Sequence, residues 1–221
     1  MKLDLHVHTN HSRDAVNGSP REVLELAKRI GLDGLAITDH NVIEGSIEAA
    51  SIAKEFGLVV VRGIEVSTAS GHVVAYGVDE VIPRGLTINE TSDRIRDLGG
   101  VAVAAHPKRF PSGMGLRAAA SCRFDGIETI NGGNPARSNI AARRVAEMRH
   151  LSQIGGSDSH RPHELGRAFT VFDAAQTEDD VVDAIRSGLA RAEGRSSTVG
   201  EGTVYSYETL IEWVRDGLRR Q

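Results

Sequence analysis

The chain has 221 residues, of which 40% are hydrophobic and 25% are charged, a size and composition typical of one well-packed globular domain. A net charge of −4 disfavours a protein held to nucleic acid mainly by phosphate attraction, although it is compatible with a local nucleotide pocket. The single cysteine, Cys122, excludes an internal disulfide and a cysteine-based zinc site. Because the chain starts directly with a strand pattern and contains no apolar run of 18 residues, we expect a soluble, cytoplasmic protein without a leader or a membrane span.

The first predicted strand, residues 3–8, ends in two histidines. Side chains two residues apart on a strand point to the same side, so His6 and His8 can reach one metal ion. A polar loop follows, and then a helix whose start is marked by Ser19 as the N-cap, Pro20 at the first helical position and Glu22 completing a capping box.

Strands and helices then alternate along the chain. A turn at 67–71 predicts a hairpin that brings His72 beside Glu65. The alternation favours a mainly parallel sheet, and about seven strands fit a closed or nearly closed barrel better than an open sheet. The further expected strands are 35–38, 58–61, 72–76, 101–105, 126–130 and 151–154, and the further expected helices are 43–56, 88–98, 138–148, 177–187 and 207–219, with a Gly/Ser/Thr-rich connector at 194–203.

Potential metal ligands follow the predicted strands at their C-terminal ends, where the chemistry of parallel barrels collects. Imidazoles and carboxylates without thiolates suit zinc, manganese or iron. A single histidine is more often a hydrogen-bonded structural ring than a ligand, but six at one rim, five at strand ends and His72 beside Glu65, favour a metal site. The residues at the strand ends are His6, His8, His40, Glu65, His106, Asp158 and His160.

These motifs together resemble the PHP (polymerase and histidinol phosphatase) family, from residue 2 to about residue 190. The motifs are His6-x-His8, Asp14, Thr38-Asp39-His40, Gly63-Ile64-Glu65, His72, Ala105-His106-Pro107 and Ser157-Asp158-Ser159-His160. The resemblance implies an α/β fold, a distorted (β/α)7 barrel of the TIM-like type. We expect residues 1–195 to form this phosphoesterase barrel, and residues 196–221 to form a connector and a helix that packs on it.

The resemblance also implies up to three divalent ions, of zinc, manganese or iron, with magnesium as a further choice. Glu65 would bridge the first two ions. Every ligand position is filled, which argues against a metal-free member of the family. The implied ligands are His6, His8, Glu65 and Asp158 for the first ion, Glu65, His72 and His106 for the second, and Asp14, His40 and His160 for the third.

Several other polar residues adjoin these motifs and are candidates for substrate contact. For each cation, a solvated surface charge is the commoner interpretation, and the same holds for His11, which could protonate the leaving alcohol. Asp39 could orient an imidazole, and Glu128 could support a ligand or simply line the barrel. The candidates for gripping phosphate or assisting catalysis are His11, Arg13, Lys108, Arg109 and Arg137, with Arg161 as a further nearby cation.

The favoured function is hydrolysis of a small phosphomonoester or nucleotide phosphate by a metal-activated hydroxide. An exonuclease or a nucleoside 3′,5′-bisphosphate phosphatase is the alternative within the family, and a non-catalytic, metal-stabilised regulatory module is the alternative outside enzymes. The acidic charge and the presence of only nine aromatic residues favour small phosphorylated substrates over duplex nucleic acid.

Overall fold

A computed structural model of the chain describes residues 1–198 and residue 201. The predicted helix at 207–219, and with it the expected packing of residues 202–221 on the barrel, lies outside the described residues. Within the described residues, no helix is long and apolar enough to cross a membrane. The elements are β1 (Lys2–Val7), α1 (Pro20–Arg29), β2 (Gly34–Ile37), α2 (Glu44–Phe56), β3 (Val59–Thr68), β4 (Gly71–Tyr76), α3 (Ile88–Asp97), β5 (Val101–Ala104), α4 (Leu116–Ser121), β6 (Gly126–Asn131), α5 (Ala136–Arg149), β7 (Ser152–Gly156), a 3-10 turn (Pro162–Glu164), β8 (Ala168–Val171), α6 (Glu178–Arg186) and β9 (Arg191–Gly194).

The strands form one sheet in the order β7-β6-β5-β4-β3-β2-β1-β8-β9. Strands β1 to β3 are parallel to one another, as are β5 to β7, whereas β4 runs antiparallel to both of its neighbours. The end of β1 also approaches the segment after β7, because the His8 N–H donates to the Ser159 carbonyl at 3.1 Å and the Asp158 N–H to the His6 carbonyl at 2.8 Å. The predicted α/β barrel, nearly closed, is therefore confirmed.

The expected count of seven strands was too low. Strand β8 pairs antiparallel with β1, and β9 pairs antiparallel with β8. Each of these strands has only four residues. Neither strand has the continuous apolar run by which the equally short β2 and β5 were predicted, and α4, with six residues, is too short to show a helical period.

Helix boundaries agree closely with the predicted signals. The Ser19 side chain accepts from the Glu22 N–H, and the Glu22 side chain accepts from the Ser19 N–H, so the capping box of α1 is complete. Gly57 ends α2 in the left-handed conformation, with φ of 65°, which glycine adopts without steric cost. These caps fix the length of each helix and hence the point at which the next strand begins.

Strand β1 is buried on both faces after its first residue. Its odd-numbered residues, such as Leu3 and Leu5, pack in the apolar core. The opposite face carries Asp4 and His6, which are also buried. Since side chains alternate along a strand, one face stabilises the barrel and the other is available for polar chemistry.

Candidate metal centre

All nine predicted ligands lie in one continuous cluster at the C-terminal end of the parallel strands. Its centre contains His6, His8, Glu65 and Asp158, all of which are buried. Atom Oε2 of Glu65 lies 3.2 Å from Nε2 of His6 and 3.4 Å from Nε2 of His8. Atom Oδ1 of Asp158 lies 3.5 Å and 3.2 Å from the same two nitrogens. Four potential ligand atoms therefore converge on one point, as expected from closure of the barrel.

The second oxygen of Glu65 faces a different pair of imidazoles. Atom Oε1 lies 2.9 Å from Nδ1 of His72 and 2.9 Å from Nε2 of His106. In the β3–β4 hairpin, His72 pairs with Ser67, which lies two residues after Glu65 on the same face of β3. The predicted proximity of His72 to Glu65 is thus a consequence of the register. Glu65 has one oxygen for each of two ligand groups.

The remaining three predicted ligands lie on the more accessible side of the cluster. Atom Oδ2 of Asp14 lies 3.4 Å from Nε2 of His40 and 3.2 Å from Nε2 of His160. The His8 ring joins this group to the centre, with its centroid 4.5 Å from that of His40 and 4.3 Å from that of His160. Nδ1 of His40 also lies 3.1 Å from Oε2 of Glu65. The third group is therefore continuous with the first two.

Two ligand positions have backbone conformations that favour glycine. The φ angle is 54° at Asp158 and 25° at His106. A residue with a side chain in the left-handed region costs roughly 1 kcal/mol or more relative to the right-handed one. Such strain persists where the surrounding structure holds the residue in place, which often occurs at functional sites. At Asp158 and His106 the strained backbone directs a carboxylate and an imidazole toward the cluster.

Glu128 contacts two predicted ligands. Of the two roles that the sequence left open for it, support of a ligand and lining of the barrel, the contacts agree with the first. Its Oε1 lies 3.0 Å from Nδ1 of His6, and its Oε2 accepts from the His106 N–H at 2.7 Å. A carboxylate is an acceptor, so Nδ1 of His6 carries a proton. Burial lowers the pKa of His6, but Asp158, Glu128 and Glu65 outweigh it and raise that pKa well above its usual value in the absence of an ion. A divalent ion beside Glu65 and Asp158 would replace the second proton at Nε2 and bind the lone pair there.

Asp39 supports the cluster less directly than expected. It was predicted to orient an imidazole, but its carboxylate accepts hydrogen bonds from Thr9 and from the Ser12 hydroxyl, at 2.7–2.8 Å. Ser12 Oγ lies 3.2 Å from Nδ1 of His8 and accepts from the His40 N–H at 3.0 Å. Ser12 connects Asp39 to the ligands, and no sequence signal identified this serine because its position depends on the fold of the 9–18 loop.

A carboxylate missed in the sequence, Asp4, joins the two ends of the barrel. It accepts hydrogen bonds from the backbone N–H groups of Ser157 and Gly166, each at 2.8 Å, and more weakly from that of His6, at 3.3 Å. Burial raises the pKa of Asp4 to about 6, even though these hydrogen bonds oppose the rise. Its place two residues before His6 on the same strand face could have identified it.

Of the five candidates for substrate contact, Arg109 is the one that reaches the cluster. Its guanidinium contacts the Asp158 carboxylate and donates to Asn134 Oδ1 at 2.9 Å. The side chains of the other four candidates are exposed. Among the described residues, none of these four forms a hydrogen bond or ion pair with a predicted ligand, and Nε2 of His11 instead lies 3.5 Å from Oε2 of Glu48. The four are His11, Arg13, Lys108 and Arg137.

The charges of the cluster favour bound cations. Burial alone would raise the pKa of Glu65, but His6, His40 and His72 hold it well below its usual value, so Glu65 is ionised. Burial and the neighbouring His160 and His40 lower the pKa of His8 to about 4, so its ring is neutral at pH 7. Burial lowers the pKa of His40, but Glu65 and Asp14 outweigh it and raise that pKa to about 9. The ionised carboxylates are stabilised by nearby positive charge. Metal ions can supply that charge and displace protons from the imidazoles when they bind.

The donor set also fits divalent ions. Within the described residues, the buried atoms Nε2 of His6, Oε2 of Glu65 and Nδ1 of His40 form no hydrogen bond. Buried polar atoms are normally satisfied, and metal coordination would satisfy these. Nitrogen and oxygen ligands with several carboxylates suit zinc, manganese and iron.

Comparison with known proteins relates the chain to one family. Residues 4–160 match the model of the PHP domain, and residues 136–189 match the model described as PHP-associated. An uncharacterized protein of Methanocaldococcus jannaschii is 42% identical over 142 residues, which cover 59% of this chain and 82% of that protein. The 5′-3′ exoribonuclease of Haemophilus influenzae is 28% identical over 158 residues, or 70% of this chain and 52% of the exoribonuclease. The 3′,5′-nucleoside bisphosphate phosphatase of Chromobacterium violaceum is 36% identical over 85 residues, or 37% of this chain and 29% of the phosphatase.

Solved structures share the barrel at low sequence identity. A two-domain protein from Bacteroides vulgatus, containing a predicted PHP-like metal-dependent phosphoesterase, superposes with a TM-score of 0.71 at 20% identity and covers 88% of this chain and 65% of that one. Endonuclease Q bound to a 27-mer duplex with an abasic lesion gives a TM-score of 0.63 at 17% identity and covers 88% of this chain and 60% of that one. At this identity the likeness establishes the fold.

Proposed function

The chain belongs to the PHP domain family of phosphoesterases, and we propose that it hydrolyses small phosphomonoesters, with nucleotides among them. The observation that carries this proposal is the division of Glu65, whose two oxygens face two different groups of imidazoles at 2.9–3.4 Å. A carboxylate in this arrangement suits a bridge between two neighbouring ions. Paired ions are a recurrent device for hydrolysing phosphate esters.

We assign the ligands in three groups that share Glu65 or adjoin it. His6, His8, Glu65 and Asp158 would hold the first ion, and Glu65, His72 and His106 the second. Asp14, His40 and His160 would hold a third, with an open side for water or substrate. The distances within each group, from 2.9 to 3.5 Å between potential ligand atoms, support this division.

When bound, the divalent ions would lower the pKa of a water molecule to supply hydroxide at neutral pH, and they would neutralise charge on the phosphoryl group. The residues of the chain orient the ligands for this chemistry. Glu128 directs the lone pair of His6 inward, and the Arg109 guanidinium occupies one oxygen of Asp158 while leaving Oδ1 toward the histidines. Arg109 also brings a cation to the edge of the site, where it can pair with a phosphate oxygen.

The size of the substrate is inferred from charge and from relatives. With a net charge of −4 and nine aromatic residues, the chain resembles an enzyme for small anions more than a protein that follows a nucleic-acid backbone. The relative named as a nucleoside bisphosphate phosphatase supports a nucleotide. A second candidate, hydrolysis of nucleic-acid ends, is favoured by the relative named as a 5′-3′ exoribonuclease, which matches 70% of the chain.

A substrate panel separates the two candidates. The purified chain, supplied with manganese, zinc or iron, would be tested on sugar, amino-alcohol and nucleotide monophosphates beside single-stranded RNA, single-stranded DNA and duplex DNA. We expect the highest kcat/KM on a small phosphate ester. Cleavage of polymers alone would overturn the proposal in favour of the nuclease, and failure to cleave any ester, including a generic aryl phosphate, would favour a non-catalytic module.

A further inference from the structure

The segment that follows His106 carries an exposed aromatic side chain next to Arg109, whose guanidinium contacts Asp158 of the cluster. Phe110 is 87% exposed, the highest value among the large apolar residues that the structure describes as exposed. All five phenylalanines of the chain lie in the described part, and Phe124 and Phe172 are buried while Phe56 and Phe169 are half-buried. Phe110 is thus the one phenylalanine of the chain whose ring is free to contact a ligand over most of its surface.

The segment is held in place on both sides of Phe110. The Arg109 N–H donates to the His106 carbonyl at 2.9 Å, and the Gly113 N–H donates to the Arg109 carbonyl at 2.8 Å. The Arg109 guanidinium contacts Asp158. Phe110 is therefore attached directly to a residue that is fixed to the cluster by its backbone and its side chain.

Neighbouring groups are suited to a ligand with an anionic and an apolar part. Lys108 is exposed two residues before Phe110 and can attract a phosphate. Val16 is a second exposed apolar residue near the predicted ligands, with 69% of its surface exposed. It follows Asp14 by two residues, and its N–H donates to the His160 carbonyl at 2.8 Å. Singly exposed apolar residues are common on protein surfaces. These two are distinguished by their attachment to the cluster, since Phe110 follows Arg109 and the Val16 backbone bonds to His160.

We propose that Phe110 is the platform on which the nucleobase of a nucleotide substrate stacks while its phosphate lies at the cluster. This inference rests on the proposed phosphoesterase function and specifies its substrate class. Every base has a π face that can stack on an aromatic ring, whereas sugar and amino-alcohol phosphates lack one. The preference would therefore be for nucleotides of any base over phosphate esters without an aromatic ring.

Binding to uncleavable analogues tests the platform independently of turnover. The manganese-loaded chain would be titrated by calorimetry with the phosphonate analogues of adenosine monophosphate and of ribose 5-phosphate, whose carbon–phosphorus bond cannot be hydrolysed. We expect Phe110→Ala to weaken binding of the adenosine analogue about tenfold, within the range measured for loss of one base–aromatic stack. Binding of the ribose analogue should change less than about twofold, and Phe110→Trp should retain the preference for the base. Leu189→Ala, which alters another exposed apolar residue (71% exposed), is the matched control and should leave both affinities unchanged.

The outcomes distinguish this inference from the proposed function. An equal loss for both analogues, no loss for either, or absence of a preference for the adenosine analogue in the unaltered chain would overturn the platform. A base preference that depends on Phe110 in a chain that cleaves no phosphate ester would support the platform and overturn the phosphoesterase. Turnover of phosphate esters without a base preference that depends on Phe110 would support the phosphoesterase function and overturn the platform.

Discussion

The inner and outer parts of the cluster differ in burial and in support. We call His6, His8, Glu65, His106 and Asp158 the inner ligands, and Asp14, His40, His72 and His160 the outer ligands. The inner ligands are at most 3% exposed, whereas the outer side chains are 12–16% exposed. Surrounding side chains hold the inner ones, since Glu128 bonds to His6 and His106, and Asn131 and Arg109 bond to Asp158.

The outer ligands bond largely to one another and to the inner ones. Asp14 contacts His40 and His160, and Glu65 contacts His40 and His72. Ligands that are orientated by fixed partners lose less conformational entropy on binding an ion than ligands on exposed loops. We call the first two ions, each of which would have inner ligands, the inner ions, and the third, which would be held by Asp14, His40 and His160, the outer ion. We therefore expect the inner ions to bind tightly and to determine stability, and the outer ion to exchange readily and to accompany the substrate.

Removal of all metal has the largest expected effect on this contrast. Exhaustive chelation should abolish hydrolysis of phosphate esters, because no side-chain nucleophile is evident in the described cluster to replace the hydroxide. With limiting chelator, we expect the outer ion to leave before the others without a large fall in melting temperature, and loss of the inner ions to lower it. The measurements are metal content, thermal unfolding and activity in parallel, with manganese, zinc or iron added back. Full activity of a verified metal-free chain would contradict the proposed function.

Glu65→Gln should produce the next largest effect. Glutamine keeps the shape of the side chain but removes the charge and one of the two oxygen ligands, so both groups of imidazoles lose their shared anion. We expect activity to fall by more than about 100-fold, beyond the loss typical of residues that only support ligands. Metal analysis should show fewer than three ions per chain. Glu48→Gln, at an exposed carboxylate beside His11, is the matched control. Unchanged metal content in the Glu65 variant would refute the bridge.

The combined substitution His40→Ala and His160→Ala tests the outer part alone. It leaves Asp14 as the single member of the third group, and one carboxylate holds a divalent ion weakly. We expect the metal content to fall from three ions per chain to two, with the inner ions and the melting temperature retained. His163→Ala, at an exposed histidine that is not among the predicted ligands, should change neither quantity. The same metal count before and after the double substitution would show that the third position does not exist.

Much of the inner part could be predicted from the sequence because strand geometry determines it. The i, i+2 spacing placed His6 and His8 on one face, and closure of the barrel brought them to Asp158, where Nε2 of His8 lies 3.2 Å from Oδ1. The turn at 67–71 similarly predicted the contact between His72 and Glu65. These contacts follow from periodicity and register, which the order of residues reveals directly.

Contacts that depend on loop conformation could not be predicted in this way. The role of Ser12, the engagement of Arg109 with Asp158 and the positive φ of His106 each depend on how a loop folds against the barrel. Gly156 illustrates the limit, because it lies beyond the expected strand 151–154 although it forms the end of β7. A Cβ atom there would lie 2.4 Å from Cβ of His6, so only glycine allows this approach.

The smallest expected effect, and the one that tests the support of the inner part, is that of Glu128→Gln. Oε1 of Glu128 faces Nδ1 of His6 at 3.0 Å, and Oε2 accepts from the His106 N–H at 2.7 Å. Glutamine has one carbonyl oxygen and one amide NH2, so it cannot serve both partners as an acceptor. If the oxygen stays with His106, the NH2 faces Nδ1 of His6 and moves the imidazole proton to Nε2, which removes the lone pair directed at Glu65 and Asp158. If the oxygen stays with His6, the buried His106 N–H loses its partner.

Either arrangement of the substituted amide should weaken binding of an inner ion by about 10–100-fold, the range measured when a partner of a ligating histidine is removed. The outer ion should retain its affinity, and activity at saturating metal should fall less than in the Glu65 variant. Competition with a chelator of known affinity measures each step, and Glu25→Gln, at an exposed carboxylate of α1, is the control. Suppose instead that the Glu128 variant binds its inner ions as tightly as the unaltered chain. The fixed orientation of His6 would then contribute nothing to metal affinity. The contrast between a supported inner part and an exchangeable outer part would lose its physical basis.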